Sequence, residues 1–128
     1  MNPEQLHAAS CWRDTPFDAE WAEILLDLGR KGERGFDLIQ PEKGEGFLLM
    51  ATAPSHFNPD FMLSMELAWA GGAGVGKTMI DAAKAKAKER GASVLLMGAE
   101  NSIRGNAMSR LYRSWGGSPH SVSYRWTV

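Results

Sequence analysis

Cysteine is almost absent from this chain, with Cys11 its single thiol. One thiol can form neither an internal disulfide nor a multi-cysteine metal site, and such usage suits a reducing setting, so a cytoplasmic location is expected. His7, His56 and His120 stand far apart with no ligand spacing, so no metal site is expected. An excess of one charge is missing too. Fourteen Lys and Arg against 15 Asp and Glu leave a net charge of −1, which gives no electrostatic footprint for nucleic acid or an anionic membrane. Residues 1–9 lack the basic-then-apolar pattern of a leader, and no apolar run approaches a membrane span. No repeat and no Pro/Gly/Ser linker divides the chain. Its 128 residues, 44% hydrophobic, are read as one domain over 1–128.

What is present reads as a helix, several strands, then alternating helices and strands. The residues before Pro16 fit no single element. From Pro16-Phe17-Asp18 to about Lys31, the residues Phe17, Trp21, Ile24, Leu25 and Leu28 share one helical face, and Gly29 or Gly32 closes the helix. Gly35–Ile39 and Gly46–Ala51 flank Pro41-Glu42-Lys43-Gly44 and predict an antiparallel pair. Pro54–Pro59 reads as a loop. Phe61–Trp69 is a third strand with Phe61, Leu63, Met65, Leu67 and Trp69 on a fully apolar face, and Met62, Ser64, Glu66 and Ala68 on the other.

A helix from about Val75 to Arg90 is expected to bury Met79, Ile80, Ala83 and Ala87, to expose Lys84, Lys86 and Lys88 as a solvated face, and to stop at Gly91. Ser93–Met97 has the apolar character of a buried strand. Asn106–Trp115 places Met108, Leu111, Tyr112 and Trp115 at helical spacing and ends at Gly116-Gly117. Val122–Val128 alternates and predicts a terminal strand. Core packing is the default for all five tryptophans.

Between the third strand and its helix lies Gly71-Gly72-Ala73-Gly74-Val75-Gly76-Lys77-Thr78, which fits two phosphate-binding patterns. As G-x-x-x-x-G-K-[ST] it is a P-loop for a nucleoside triphosphate, with Lys77 on the phosphates. As Gly74-x-Gly76 opening a helix it is a pyrophosphate turn. In both, glycines let the backbone approach an anion, and the free N–H groups of the helix end hold it. Only about fifty residues follow Thr78, too few for the βα units of a P-loop NTPase, and Glu100 is a weak substitute for its Mg²⁺ carboxylate.

Two segments at matching spacing carry a family resemblance. Gly71–Gly76 resembles the R/Q-x-x-G-x-G/A turn of the GCN5-related N-acetyltransferases, and Arg110-Leu111-Tyr112-Arg113-Ser114-Trp115-Gly116-Gly117 resembles their L-Y-x-x-x-G-F segment. The similar portion runs from about Gly35 to Val128. Tyr124-Arg125-Trp126 is similar to the tails of small phage-encoded members, whose setting is the host cytoplasm or the virion. The chain departs from the pattern at Gly71, where Arg or Gln is usual, at Gly117 in place of Phe, and at Gly105, with the usual Asn one step later at Asn106. The family's N-terminal strand is not recognisable before Pro16.

The resemblance implies an α/β acyl-CoA N-acyltransferase fold, with a mixed, mostly antiparallel sheet, helices on both faces, and a split between the Phe61 and Ser93 strands. It also implies acetyl transfer from acetyl-CoA to a primary amine of a small molecule or protein, in a monomer or homodimer. The cofactor-binding residues it implies are Leu67, Trp69, Gly71, Gly72, Ala73, Gly74, Val75, Gly76, Lys77 and Thr78. Tyr112 matches the family tyrosine that protonates the leaving thiolate, and a phenol suits that task. Glu66, the one carboxylate inside the third strand, is the candidate base, because burial there would raise its pKa toward the useful range. Asp60 is the reserve. Loss of the usual side chain at Gly71 keeps a second reading open, a non-catalytic binding or structural module of the same fold. The P-loop NTPase stands third.

Overall fold

A computed structural model describes residues 1–72, 74–100 and 102–128. They form two compact units, Met1–Gly98 and Ala99–Val128.

The first unit opens with α1 (Pro3–Ala9), where the sequence left the assignment open. Pro3 sits at the first helical positions, and Asn2 and Gln5 form a reciprocal capping box through two 2.9 Å bonds. Helix α2 (Ala19–Lys31) starts at an Asp18 cap that accepts the Trp21 N–H and stops at Gly32, whose φ of 66° is left-handed. Its buried face is not the expected one. Ala22, Leu26 and Gly29 point inward, while Trp21 and Ile24 stay 59% and 49% exposed. Close approach shapes this face at one point: a Cβ at Gly29 would stand 2.7 Å from Leu49 Cδ1, so Gly29 sits beside the bulky Leu26 where the helix meets the sheet.

Strands β1 (Phe36–Ile39), β2 (Gly46–Ser55), β3 (Asn58–Gly71) and β4 (Ala92–Leu96) form a sheet in that order, with β1–β2 and β2–β3 antiparallel and β3–β4 parallel. The expected Pro54–Pro59 loop is instead the tip of a tight hairpin. Ser55 pairs with Asn58, the Ser55 hydroxyl accepts the Phe57 N–H, and the Asn58 side chain accepts the Asp60 N–H. Helix α3 (Gly76–Glu89) makes the crossover to β4 and buries Met79, Ile80, Ala83 and Ala87, as its spacing predicts.

Two cores lie on opposite faces of the sheet. On one, Leu6, Ala22, Leu26, Phe47, Leu49 and Ala68 join α1 and α2 to the strands. On the other, Leu48, Met50, Ala83 and Ala87 pack under α3, with Trp69 and Leu95 against them. A bidentate ion pair ties the faces together. Arg90 donates to both oxygens of buried Asp37, at 3.0 and 2.8 Å, and to the Gly32 carbonyl at 2.7 Å, which joins the ends of α2 and α3 to β1. The Asp37 carboxylate raises the Arg90 pKa further above its ordinary value.

Two strand expectations change. β4 is not of the buried kind: β3 is its one ladder neighbour among the described residues, and Val94 is 39% exposed. The fully apolar face of β3 is also partly open, with Phe61 and Met65 39% and 41% exposed, because α1 and α2 cover the Phe47–Leu49 end of the sheet.

The second unit holds α4 (Ile103–Ser114), capped by the Ser102 hydroxyl on the Gly105 N–H. Gly105 is buried, and a Cβ there would collide with the Glu100 backbone, which explains glycine where the related pattern has Asn. Gly116, at φ 92°, ends the helix. Its N–H donates to Arg113 O and that of Gly117 to Tyr112 O, a Schellman arrangement. Val122–Val128, read as a strand, forms neither strand nor helix: the alternating side chains are there but no ladder receives them.

Candidate functional site

β3 delivers the glycine run to the start of α3, and each described glycine meets a different demand. A Cβ at Gly72 would lie 2.9 Å from the Glu45 carbonyl, which accepts the Gly72 N–H at 2.9 Å. A Cβ at Gly71 would crowd Met79 Cε and Trp69 Cζ3, both at 3.2 Å, so the position that carries Arg or Gln in the related pattern is exposed but tight against two side-chain ends here. Gly74 has a φ of 77°, and a Cβ there would meet nothing within 4 Å. Its glycine therefore answers a backbone requirement beside open space. Ala73 lies outside the described residues.

Helix α3 begins with Val75 as its N-cap, and no side chain caps it. The opening N–H groups of a helix have no partner within the helix, and the positive end of its dipole adds to their attraction for an anion. Gly76, Lys77 and Thr78 supply these groups. The Lys77 ammonium turns along the helix to Asp81 at 2.9 Å and, through that hydrogen bond, holds the Asp81 carboxyl below its usual range. The pair is exposed to solvent on the surface of the helix. The loop before β2 also belongs to the turn, since a Cβ at Gly44 would stand 2.9 Å from Val75 Cγ1. Glu45 and Gly44 carry no motif signal, and only their contacts identify them.

Beside this turn β3 runs on alone on its β4 side. The β3–β4 ladder ends at Met65 and Leu96, where β4 itself ends, whereas β3 continues to Gly71. The expected split would need both strands to continue and diverge, and β4 does not continue. Just past the last rung the Glu66 Oε1 accepts the Gly98 N–H at 3.1 Å, so a side chain spans the gap where backbone pairing has stopped.

A bulge in β3 sets which way Glu66 faces. Leu49 pairs with Ala68 and Met50 with Glu66, leaving Leu67 as the extra residue. Glu66 consequently shares the α3 side of the sheet with Met50 and Trp69, whereas Leu67 packs against the α1/α2 core. Leu67 and Trp69, grouped on one face by simple alternation, lie on opposite faces. Trp69 is half-buried against the α3 core.

In the second unit, Tyr112 is half-buried on α4, with its ring edge-on to Trp115 at a centroid distance of 6.4 Å. Asp60 lies exposed near the start of β3, away from the turn.

The P-loop reading is overturned by the sheet. The strand entering the glycine turn is antiparallel to β2, whereas a P-loop strand belongs to a parallel sheet.

No protein-family model matches the chain. No curated protein matches it either. Solved structures do. An aminoglycoside acetyltransferase from an uncultured soil metagenomic sample is 17% identical, with a TM-score of 0.68 over 100% of this chain and 95% of its own. A ribosomal-protein-alanine N-acetyltransferase from Brucella melitensis is 21% identical, with a TM-score of 0.64 over 98% of this chain and 90% of its own. A transcriptional regulator from Bacillus halodurans is 16% identical, with a TM-score of 0.67 over 98% and 93%. With the antiparallel meander, the glycine turn and the parallel strand that follows its helix, these likenesses establish that the chain has the fold of the GCN5-related N-acetyltransferases.

Proposed function

We propose that the protein transfers an acetyl group from acetyl-CoA to a primary amine. One observation carries this reading: the start of α3, with no side-chain cap and preceded by a left-handed glycine with open space before it, follows the strand β3 in a fold shared with named acetyltransferases.

The residues fit the cofactor's pyrophosphate. Backbone N–H groups of Gly74, Gly76, Lys77 and Thr78 would hold it, and a side chain at Gly74 would occupy the space that a phosphate needs. When bound, acetyl-CoA supplies an acetyl group activated as a thioester. Glu66 would take the proton of the attacking amine on its carboxylate, directly or through a water, and Tyr112 would give its phenolic proton to the departing sulfur. The acceptor is a small molecule or a protein amine.

Calorimetric titration with acetyl-CoA and, separately, with Mg-ATP tests the reading. Micromolar acetyl-CoA binding without ATP binding is expected, and Gly74→Val should abolish it. Absence of acetyl-CoA binding, or unchanged affinity in Gly74→Val, would sink the assignment.

A non-catalytic module of this fold is the second reading, favoured by the Glu66–Gly98 bond, which gives Glu66 a structural task beyond the last β3–β4 rung. Acetyl-CoA binding with no turnover on a panel of small amines and peptide N-termini would select it.

A further inference from the structure

We propose that the outward face of α2 is the interface of a homodimer, in which the α2 helices of two copies pack antiparallel about a two-fold axis near Ile24. Helix α2 carries two apolar stripes. Ala22, Leu26 and Gly29 take the sheet, while Trp21, Ile24 and Leu28 recur at the three-and-four spacing of a helix–helix seam on the side turned away from it. Phe17, just before the helix, extends the second stripe and stacks on His7 at 4.8 Å. Phe17, Trp21 and Ile24 are 39%, 59% and 49% exposed, a row of large apolar side chains that the described elements of the first unit leave largely in water. All of these residues belong to that unit.

The charges along the helix say what fits there. α2 is acidic at its start, with the Asp18 cap, Glu20 and Glu23, and basic at its end, with Arg30 and Lys31. Laid parallel, two such helices would set like charge on like. Laid antiparallel, each acidic start meets the partner's basic end, and the two helix dipoles are matched as well. An open groove lined by Glu20, Glu23, Ile24 and Asp27 runs beside the seam, and its carboxylates suit the ammonium and aliphatic stem of an incoming Lys31. Lys31 bonds Asp27 at 2.8 Å in an exposed pair, and Glu20 has no ion-pair partner among the described residues, so a Glu20–Lys31 contact between copies breaks nothing buried. Because the same surface serves both copies, the assembly closes at two. The 13 residues of α2 make a helix about 20 Å long, so the contact is small and the dimer is a weak one, in the micromolar range. The inference requires no catalytic activity.

Sedimentation equilibrium of the full chain from about 10 to 500 µM is the test. The mass is expected to rise from 14.0 kDa toward twice that value. Ile24→Asp, which alters an outward side chain, should keep the circular dichroism and stay a single copy throughout. Glu20→Lys and Lys31→Glu, each alone, oppose like charges at both ends of the interface and should weaken the dimer about tenfold. Mixing these two variants in equal amounts opposes lysine to glutamate at both ends and should bring the dimer back. A wild type that stays a single copy at the highest concentration leaves the face to another occupant and overturns the proposal. So does a dimer indifferent to Ile24→Asp, or a mixture that associates no better than its two components. Should Ile24→Asp misfold, the mixing result decides alone.

Discussion

Asp37 shows how much one carboxylate can hold in place. Its two oxygens fix Arg90, which also grips the Gly32 carbonyl at the end of α2, so three elements meet at one buried anion. Replacing Asp37 by Ala should cost about 2–3 kcal/mol, since hydrogen bonds to charged groups are lost and a half-buried guanidinium is left without its counter-ion. Urea denaturation measures this, and a change below about 0.5 kcal/mol would show the pair to be incidental. Tyr112→Phe belongs to the same scale. It should slow steady-state acetyl transfer at least tenfold while leaving acetyl-CoA affinity unchanged, and an unaltered rate would remove Tyr112 as the acid. The glycine run was legible as a turn before a helix. Which glycine serves which purpose was not, because Gly71 and Gly72 are explained by Met79, Trp69 and Glu45, neighbours that no local pattern announces.

Among the elements, β3 departs most instructively from its pattern. Alternation from Phe61 to Trp69 predicts a single apolar face, but the extra residue at Leu67 moves everything before it to the other side relative to Ala68. A bulge is a relation between two strands and leaves no mark on one read alone. Deleting Leu67 should turn the bulge into regular alternation, with Glu66 still opposite Met50 and the 2.6 Å Thr52–Ser64 hydroxyl pair kept. A cooperative melting transition is expected to survive, and its loss would mean that the bulge itself, and not the alternation around it, holds the strand in place. The α2 error has a related origin. Periodicity finds the most apolar stripe, whereas the close contact at Gly29 turns Ala22, Leu26 and Gly29 inward, and here these differ. α3 was read correctly because its apolar stripe and its packing stripe coincide.

At the scale of the whole molecule, the order of elements from β1 to α4 was legible, since turn signals and changes of period mark each boundary. The terminal strand was legible only as a pattern: Val122–Val128 has the alternation of a strand, and alternation does not supply the neighbour a strand needs. One feature of the sheet also governs its assembly. β1, β2 and β3 follow one another as neighbouring antiparallel strands, whereas β4 joins only through the α3 crossover from Gly71 to Ala92. Closing short hairpins is fast and parallel pairing across a helix is slow, because the longer loop must be ordered before its contacts reward it. The β3–β4 pairing, and the packing of α3 that goes with it, are therefore completed late, and a folding chain holds an ordered meander before the glycine turn is fixed between its strand and helix.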